Sequence, residues 1–290
     1  MNEKNHARNA SRPGTLLVLA AIFCGFAAAE QANPGGRKLR IFDNKSKTVI
    51  VNGYSTSFGW PRLLQEKLDR MHGGKRVLTV KPATKGGTPI ARWMDVETGK
   101  PLKPWLDVLR PKLKENEYDP VIVLAQQSLQ WVFGQRTEGI RNAEDSERIK
   151  QGADALEKYA RLLKKDGAEV VFIAMHIYKH PMEPEIGNER LALAELLKRK
   201  IPGIEAGPDV WTPTKEQYPQ VFARDKVHPN EKGAEIMAQK WFETLLKYDG
   251  LPATARTKAD IARRPGETAT AYQQRLRQDS SERTPPRRPG

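Results

Sequence analysis

The chain has 290 residues, of which 38% are hydrophobic and 29% charged, and 49 Lys and Arg against 35 Asp and Glu give it a net charge of +14. These proportions fit a soluble globular protein, and the length allows one or two domains. A single cysteine, Cys24, excludes a disulfide framework, and its place inside an apolar N-terminal run excludes a cysteine nucleophile or thiolate metal site in a mature form.

Residues 1–29 read as a cleaved export signal. Lys4, Arg8 and Arg12 form a basic start, Thr15 to Ala29 an apolar run, and Ala27-Ala28-Ala29 the small residues that a signal peptidase needs before Glu30. A retained membrane anchor is the alternative, but a spanning helix takes about 20 apolar residues. Phe23 before Cys24 is too bulky for the usual lipoprotein site. A periplasmic or extracellular location is therefore expected. Residues 30–47 lead into a folded domain at 48–250, and 251–290 form a basic Pro/Arg-rich tail. From Ala253 onward that tail holds nine basic and four acidic residues, a composition that cannot bury enough apolar surface to order itself. Its alternative use is electrostatic association with an anionic polymer or membrane surface. It carries no stacked aromatics or folded nucleic-acid motif, so no nucleic-acid partner is expected.

Within the domain, strand-like and helix-like stretches alternate. Thr48 to Val51 is a β-branched run ending at the turn signal Asn52-Gly53, and a helical spacing over 61–71 (Leu63, Leu64, Lys67, Leu68) follows, with Pro61 suited to its first turn. A strand is predicted over 76–80, a glycine loop at Lys85-Gly86-Gly87-Thr88-Pro89, and a helix over 104–113. Val121-Ile122-Val123-Leu124-Ala125 is continuously apolar, as a strand covered on both faces should be. Next come a long helix over 144–165, a buried strand over 170–174, a helix over 187–200 with Leu191, Leu193, Leu196 and Leu197 on its apolar side, a weaker strand at 204–210, and a last helix from Asn230 to Tyr248. This alternation implies an α/β fold whose mostly parallel sheet is covered on both sides. In such sheets ligands bind outside the carboxyl ends of the strands.

Two segments fall at those ends with reactive side chains. In Asn52-Gly53-Tyr54-Ser55-Thr56-Ser57, Gly53 permits a sharp turn and Ser55 is presented at the mouth of the next helix, where free backbone N–H groups and the helix dipole favour negative charge. A serine hydroxyl needs an adjacent base to become a nucleophile; the alternative is that Ser55, Thr56 or Ser57 merely caps the helix. In Asp225-Lys226-Val227-His228-Pro229-Asn230, the spacing lets Asp225 accept a hydrogen bond from one ring nitrogen of His228 and leaves the other to take a serine proton. A surface histidine beside a capping turn is the alternative there.

Over residues 48–248 the chain resembles the SGNH/GDSL hydrolases, a family with a Gly-Asp-Ser motif after the first strand and an Asp-x-x-His-Pro motif before the last helix. The resemblance implies a flavodoxin-like α/β/α fold with a five-stranded parallel sheet and no cofactor. It implies Ser55 as nucleophile, His228 as general base and Asp225 as its orienter. The oxyanion hole falls to the backbone of Ser55, a loop glycine at Gly86 or Gly87, and Gln127 (less readily Gln126) in the place of an asparagine. Two positions depart from the pattern. Tyr54 stands where the family has aspartate, and Ala125-Gln126-Gln127-Ser128 where Gly-x-Asn-Asp is usual.

Other residues leave alternatives open. His176 and His180 follow the fourth strand at the mouth of the site, as substrate contacts, as loop structure, or, with His228, as a metal site lacking a convincing ligand set. Phe58, Trp60, Trp93, Trp131 and Trp211 cluster after strand ends and either stack on substrate or roof the core; Tyr54, His176 and Trp131 are the candidate substrate contacts. Glu183, Glu185, Asn188 and Glu189 form an acidic loop whose spacing selects no glycosidase pair. The expected function is an exported serine esterase acting on a small-molecule or polysaccharide ester, acetylated carbohydrate included. Its rival is a non-catalytic glycan- or cell-surface-binding protein on the same scaffold.

Overall fold

The computed structural model describes residues 39–252. The stretch read as an export signal and most of the basic tail lie outside the described residues. Within them, five strands form one parallel sheet: β1 (Lys47–Gly53), β2 (Leu78–Thr84), β3 (Val121–Gln126), β4 (Ala168–Ala174) and β5 (Ile204–Ala206), in the order β2-β1-β3-β4-β5. This is the doubly wound order of flavodoxin-like folds. The order reverses at β1, whose neighbours are β2 on one side and β3 on the other, so chain leaving β1 and chain leaving β3 diverge to opposite faces and leave a crevice between them.

Alternation along the strands decides which layer each residue meets. Val49, Val51, Ile122, Leu124, Val170 and Phe172 point to the face covered by α1 (Trp60–Met71) and α7 (Glu231–Tyr248). There Trp60 stacks on Trp241 with ring centroids 5.5 Å apart. Ile50, Val123, Ala125, Val171 and Ile173 point to the other face, against α4 (Ser146–Lys165) and α5 (Glu185–Lys198). Each fully buried Leu of these layers contributes about 1.5–3 kcal/mol. The shorter helices are α2 (Ile90–Trp93), α3 (Arg110–Lys114), entered through a π-helical turn at Trp105–Leu109, and α6 (Trp211–Glu216).

Several boundaries differ from the sequence reading for physical reasons. β2 runs through Pro82 to Thr84 rather than stopping near Val80. It is an edge strand, the one sheet position where a missing N–H costs no ladder bond. On α5 the residues facing the core are Ile186, Glu189, Ala192 and Leu196, while Leu191, Leu193 and Leu197 are only partly covered. Part of the stretch read as a leader packs on the domain: Ile41 is fully buried, and the backbone N–H groups of Ile41 and Phe42 donate to the Asp249 carboxylate at 2.9 and 2.7 Å.

Candidate active site

Ser55 opens a single 3-10 turn, Ser55–Ser57, between β1 and α1. Tyr54 before it is extended, with φ -121° and ψ -162°, and the Ser57 N–H closes the turn on the Tyr54 carbonyl at 2.8 Å. The turn folds back so tightly that a Cβ at Gly53 would lie 2.4 Å from Ser57 Oγ and 3.0 Å from the Gln126 carbonyl. Gly53 is thus required by close approach, not by a left-handed backbone. Ser55 is left partly exposed above a buried Tyr54.

The loop before α7 brings the other two groups. Lys226 adopts the left-handed region at φ 56°, and the Ala223 and Lys226 N–H groups bond to the carbonyls of His228 and Ala223 at 2.8 and 2.9 Å. Asn230 anchors the exit: its side chain accepts from the Gly233 N–H at 3.1 Å and donates to the carbonyls of Gln220 and Phe222. Held this way, His228 places Nε2 2.8 Å from Ser55 Oγ and Nδ1 2.6 Å from Asp225 Oδ2. Asp225 Oδ1 accepts from the backbone N–H groups of Val227 and His228 at 2.9 and 3.0 Å. These bonds, the His228 ring's first, hold the Asp225 carboxyl well below the usual carboxylate range. With an ionised Asp225 on Nδ1, the His228 tautomer that donates from Nδ1 presents a lone pair at Nε2 to the serine hydroxyl.

The loop after β2 runs alongside, Lys85 N–H donating to the Gly53 carbonyl at 3.1 Å. Gly86 and Gly87 lie exposed there, Gly87 with φ 66°, and a Cβ on Gly86 would stand 3.8 Å from the ring of Phe58. Among the described residues the backbone N–H groups of Ser55, Gly86 and Gly87 donate to no protein acceptor.

Gln127 is not brought to this group. Its side chain is buried on the α4 side, where Nε2 donates to Asn52 Oδ1 at 2.7 Å and to Tyr159 Oη at 3.1 Å. An amide nitrogen has two protons, and both are committed, which corrects the expectation that this side chain serves a developing oxyanion. Gln126 is fully buried as well, and both its amide atoms lack partners within the described residues.

Tyr54 and His176 form a floor beneath Ser55, their rings 5.1 Å apart, rather than a surface for substrate: Tyr54 is 5% and His176 2% exposed. Burial, then Lys179, push the His176 pKa down to about 3, so the ring is neutral and fixed by its Nδ1 contact to the Ile177 carbonyl. Trp131 alone of the three expected contacts stands partly exposed on the rim. Of the other aromatic residues, Trp60 and Trp93 are fully buried and Trp211 nearly so, while Phe58 is 59% exposed. His180 stacks on Tyr218 instead of approaching His176. No group of three His, Cys, Asp or Glu among the described residues is placed to hold a metal ion.

Glu189, read from the sequence as part of an acidic loop with Glu183, Glu185 and Asn188, belongs instead to α5, which begins at Glu185. It is 1% exposed on α5, and its Oε1 accepts from Ser128 Oγ at 3.0 Å and from the Leu129 N–H at 2.9 Å, so it holds the loop that leaves β3. Burial pushes its pKa up to about 8. The signal was present: Ile186, Glu189, Ala192 and Leu196 repeat at helical spacing, and a carboxylate on an apolar stripe is rarely buried without a role.

No family model matches the sequence, and no curated protein matches it. Among solved structures, the chain is similar to the acetylxylan esterase Axe2 from Geobacillus stearothermophilus, with a TM-score of 0.51 and 14% identity over 76% of this chain and 99% of that one. A variant described as an acetyl-xylooligosaccharide esterase gives the same TM-score, identity and coverage, and a second variant gives a TM-score of 0.50 at 14% identity over 74% of this chain and 100% of that one. The chain thus spans almost the whole of these proteins, and its fold is the α/β/α fold that they share.

Proposed function

We propose that the protein is a serine esterase of the SGNH/GDSL type, acting outside the cytoplasm on O-acetylated carbohydrate. The observation that carries this reading is the unbroken hydrogen-bonded line from Asp225 through His228 to Ser55, at 2.6 and 2.8 Å. His228 takes the Ser55 proton through Nε2 as Oγ attacks the ester carbonyl, and Asp225 stabilises the imidazolium that forms. The negative oxygen of the tetrahedral intermediate is met by backbone donors, for which Ser55 and the Gly86-Gly87 loop have free N–H groups. His228 then protonates the departing sugar hydroxyl, and the acyl group on Ser55 is released by water activated by the same base.

Acetylated carbohydrate as substrate is supported by the likeness to the Axe2 acetylxylan and acetyl-xylooligosaccharide esterase structures, which share the fold. Export is supported by the basic start, apolar run and alanines of residues 1–29. The reading is tested by acetate release from acetylated xylo-oligosaccharides and p-nitrophenyl acetate, comparing the wild type with Ser55→Ala. Loss of turnover by a factor of about 10⁴ or more is expected. Equal rates would sink the esterase and favour a binding protein on this scaffold.

A further inference from the structure

The carboxyl ends of β2, β3 and β4 lie on the same edge of the sheet as that of β1, and the loops leaving them carry cations that the proposed chemistry does not use. Arg92 follows β2, Arg136 follows β3 and Lys179 follows β4. Among the described residues none of the three forms a salt bridge with a carboxylate. Arg136 makes one long bond, from Nε to Gln130 Oε1 at 3.4 Å.

The two arginines share a single ring. Trp131 sits at φ 64°, a left-handed backbone that costs a bulky residue free energy and persists where the surroundings impose it. The guanidinium of Arg92 lies 4.8 Å and that of Arg136 5.7 Å from its centroid. A guanidinium held over a ring by its face keeps its N–H edge free for an oxyanion. Lys179 is only 7% exposed, and burial and the nearby Arg136 both disfavour its charge. The nearby Glu189 acts the other way and favours its charge.

This rim is continuous with the site. Lys179 lies three residues after His176 in the stretch that leaves β4, and the His176 ring packs on Tyr54, the residue before Ser55. We propose that Arg92, Trp131, Arg136 and Lys179 form a subsite for an acidic sugar, bearing a carboxylate or a sulfate, next to the residue whose ester faces Ser55. The inference rests on the esterase reading for its substrate class, but its recognition step does not require turnover. Paired guanidinium groups bind such planar or tetrahedral oxyanions through two N–H donors at once.

The test is calorimetric binding to the Ser55→Ala protein of matched hexasaccharides without esters: a neutral xylohexaose, an oligogalacturonate and a sulfated oligosaccharide. At least one acidic ligand is expected to bind more tightly than the neutral one by about tenfold or more, and the tighter of the two names the acidic group. The preference should fade as ionic strength rises from about 0.05 to about 0.5 M. It should vanish in Arg92→Ala/Arg136→Ala, whose exposed positions leave the core intact, and return in part in Arg92→Lys/Arg136→Lys. Equal affinity for the neutral and acidic ligands, or a preference that survives loss of both arginines, overturns the proposal. Failure of the esterase reading would show separately, as absent acetate release.

Discussion

The side of the site carried by the loops after β1 and before α7 is open to solvent, whereas the side carried by the loop after β3 is closed. Asp225 and His228 are roughly half exposed, and their hydrogen bonds run from side chain to side chain toward Ser55. Gln127, Ser128 and Glu189 are buried, and their bonds run inward, to Asn52, Tyr159 and the β3 loop backbone. The open side has groups free to exchange protons with substrate. On the closed side the Gln127 amide and the Ser128 hydroxyl have their protons committed to structure, so they act as a frame. The contrast also separates two uses of a carboxylate. Asp225 is kept ionised by the hydrogen bonds it accepts, and Glu189 is kept neutral by the surface that covers it.

Each side can be broken separately. The largest effect is expected for Asp225→Asn, which keeps the shape but lets His228 adopt the wrong tautomer: kcat for p-nitrophenyl acetate should fall by about 10²–10⁴, with KM nearly unchanged. Steady-state kinetics decide, and a fall below about fivefold would mean that the open side does not work as a relay. Because Asp225 stays ionised far below neutrality, a loss of wild-type activity at mildly acid pH must come from another group.

On the closed side, Glu189→Gln should alter stability rather than chemistry. The native carboxyl has a pKa raised from the ordinary 4.5 to about 8. Between these values the folded protein holds a proton that the unfolded chain releases, so stability falls as pH rises through that window. Glutamine has no such proton and removes the slope. Urea unfolding should therefore give similar stabilities for both proteins near pH 4, with the variant ahead by on the order of a few kcal/mol near pH 9. Parallel curves would contradict the burial argument. Smallest of the three, Gln127→Leu should cost about 1 kcal/mol of stability through the bond to Asn52 while changing kcat less than about fivefold. A drop of about 10²–10³ in kcat would instead identify that amide as an oxyanion donor.

The sequence made the strands and the paired motifs legible because both are local patterns. Val121 to Ala125 reads as a covered strand from its own apolar run, and Asp225 and His228 meet across three residues of one loop. What stayed hidden depends on neighbours distant in the chain. Pro82 is tolerated because β2 is an edge, which no stretch of β2 reveals. The direction of Gln127 is set by Asn52 and Tyr159, 75 and 32 residues away. Gly53 is needed because Ser57 and Gln126 crowd it, an approach created only when the turn closes on β3. The helix α6 was missed because it is six residues long and contains Pro213, leaving too few turns for a periodic signal.

The central claim is that Ser55 is a nucleophile activated by His228. It is tested most directly by exposing the protein to a fluorophosphonate, a reagent that phosphonylates activated serines, and locating the adduct by peptide mass spectrometry. The account predicts one adduct, on Ser55, that is lost in His228→Ala although Ser55 remains. An unlabelled Ser55, or labelling that is indifferent to His228, would contradict it.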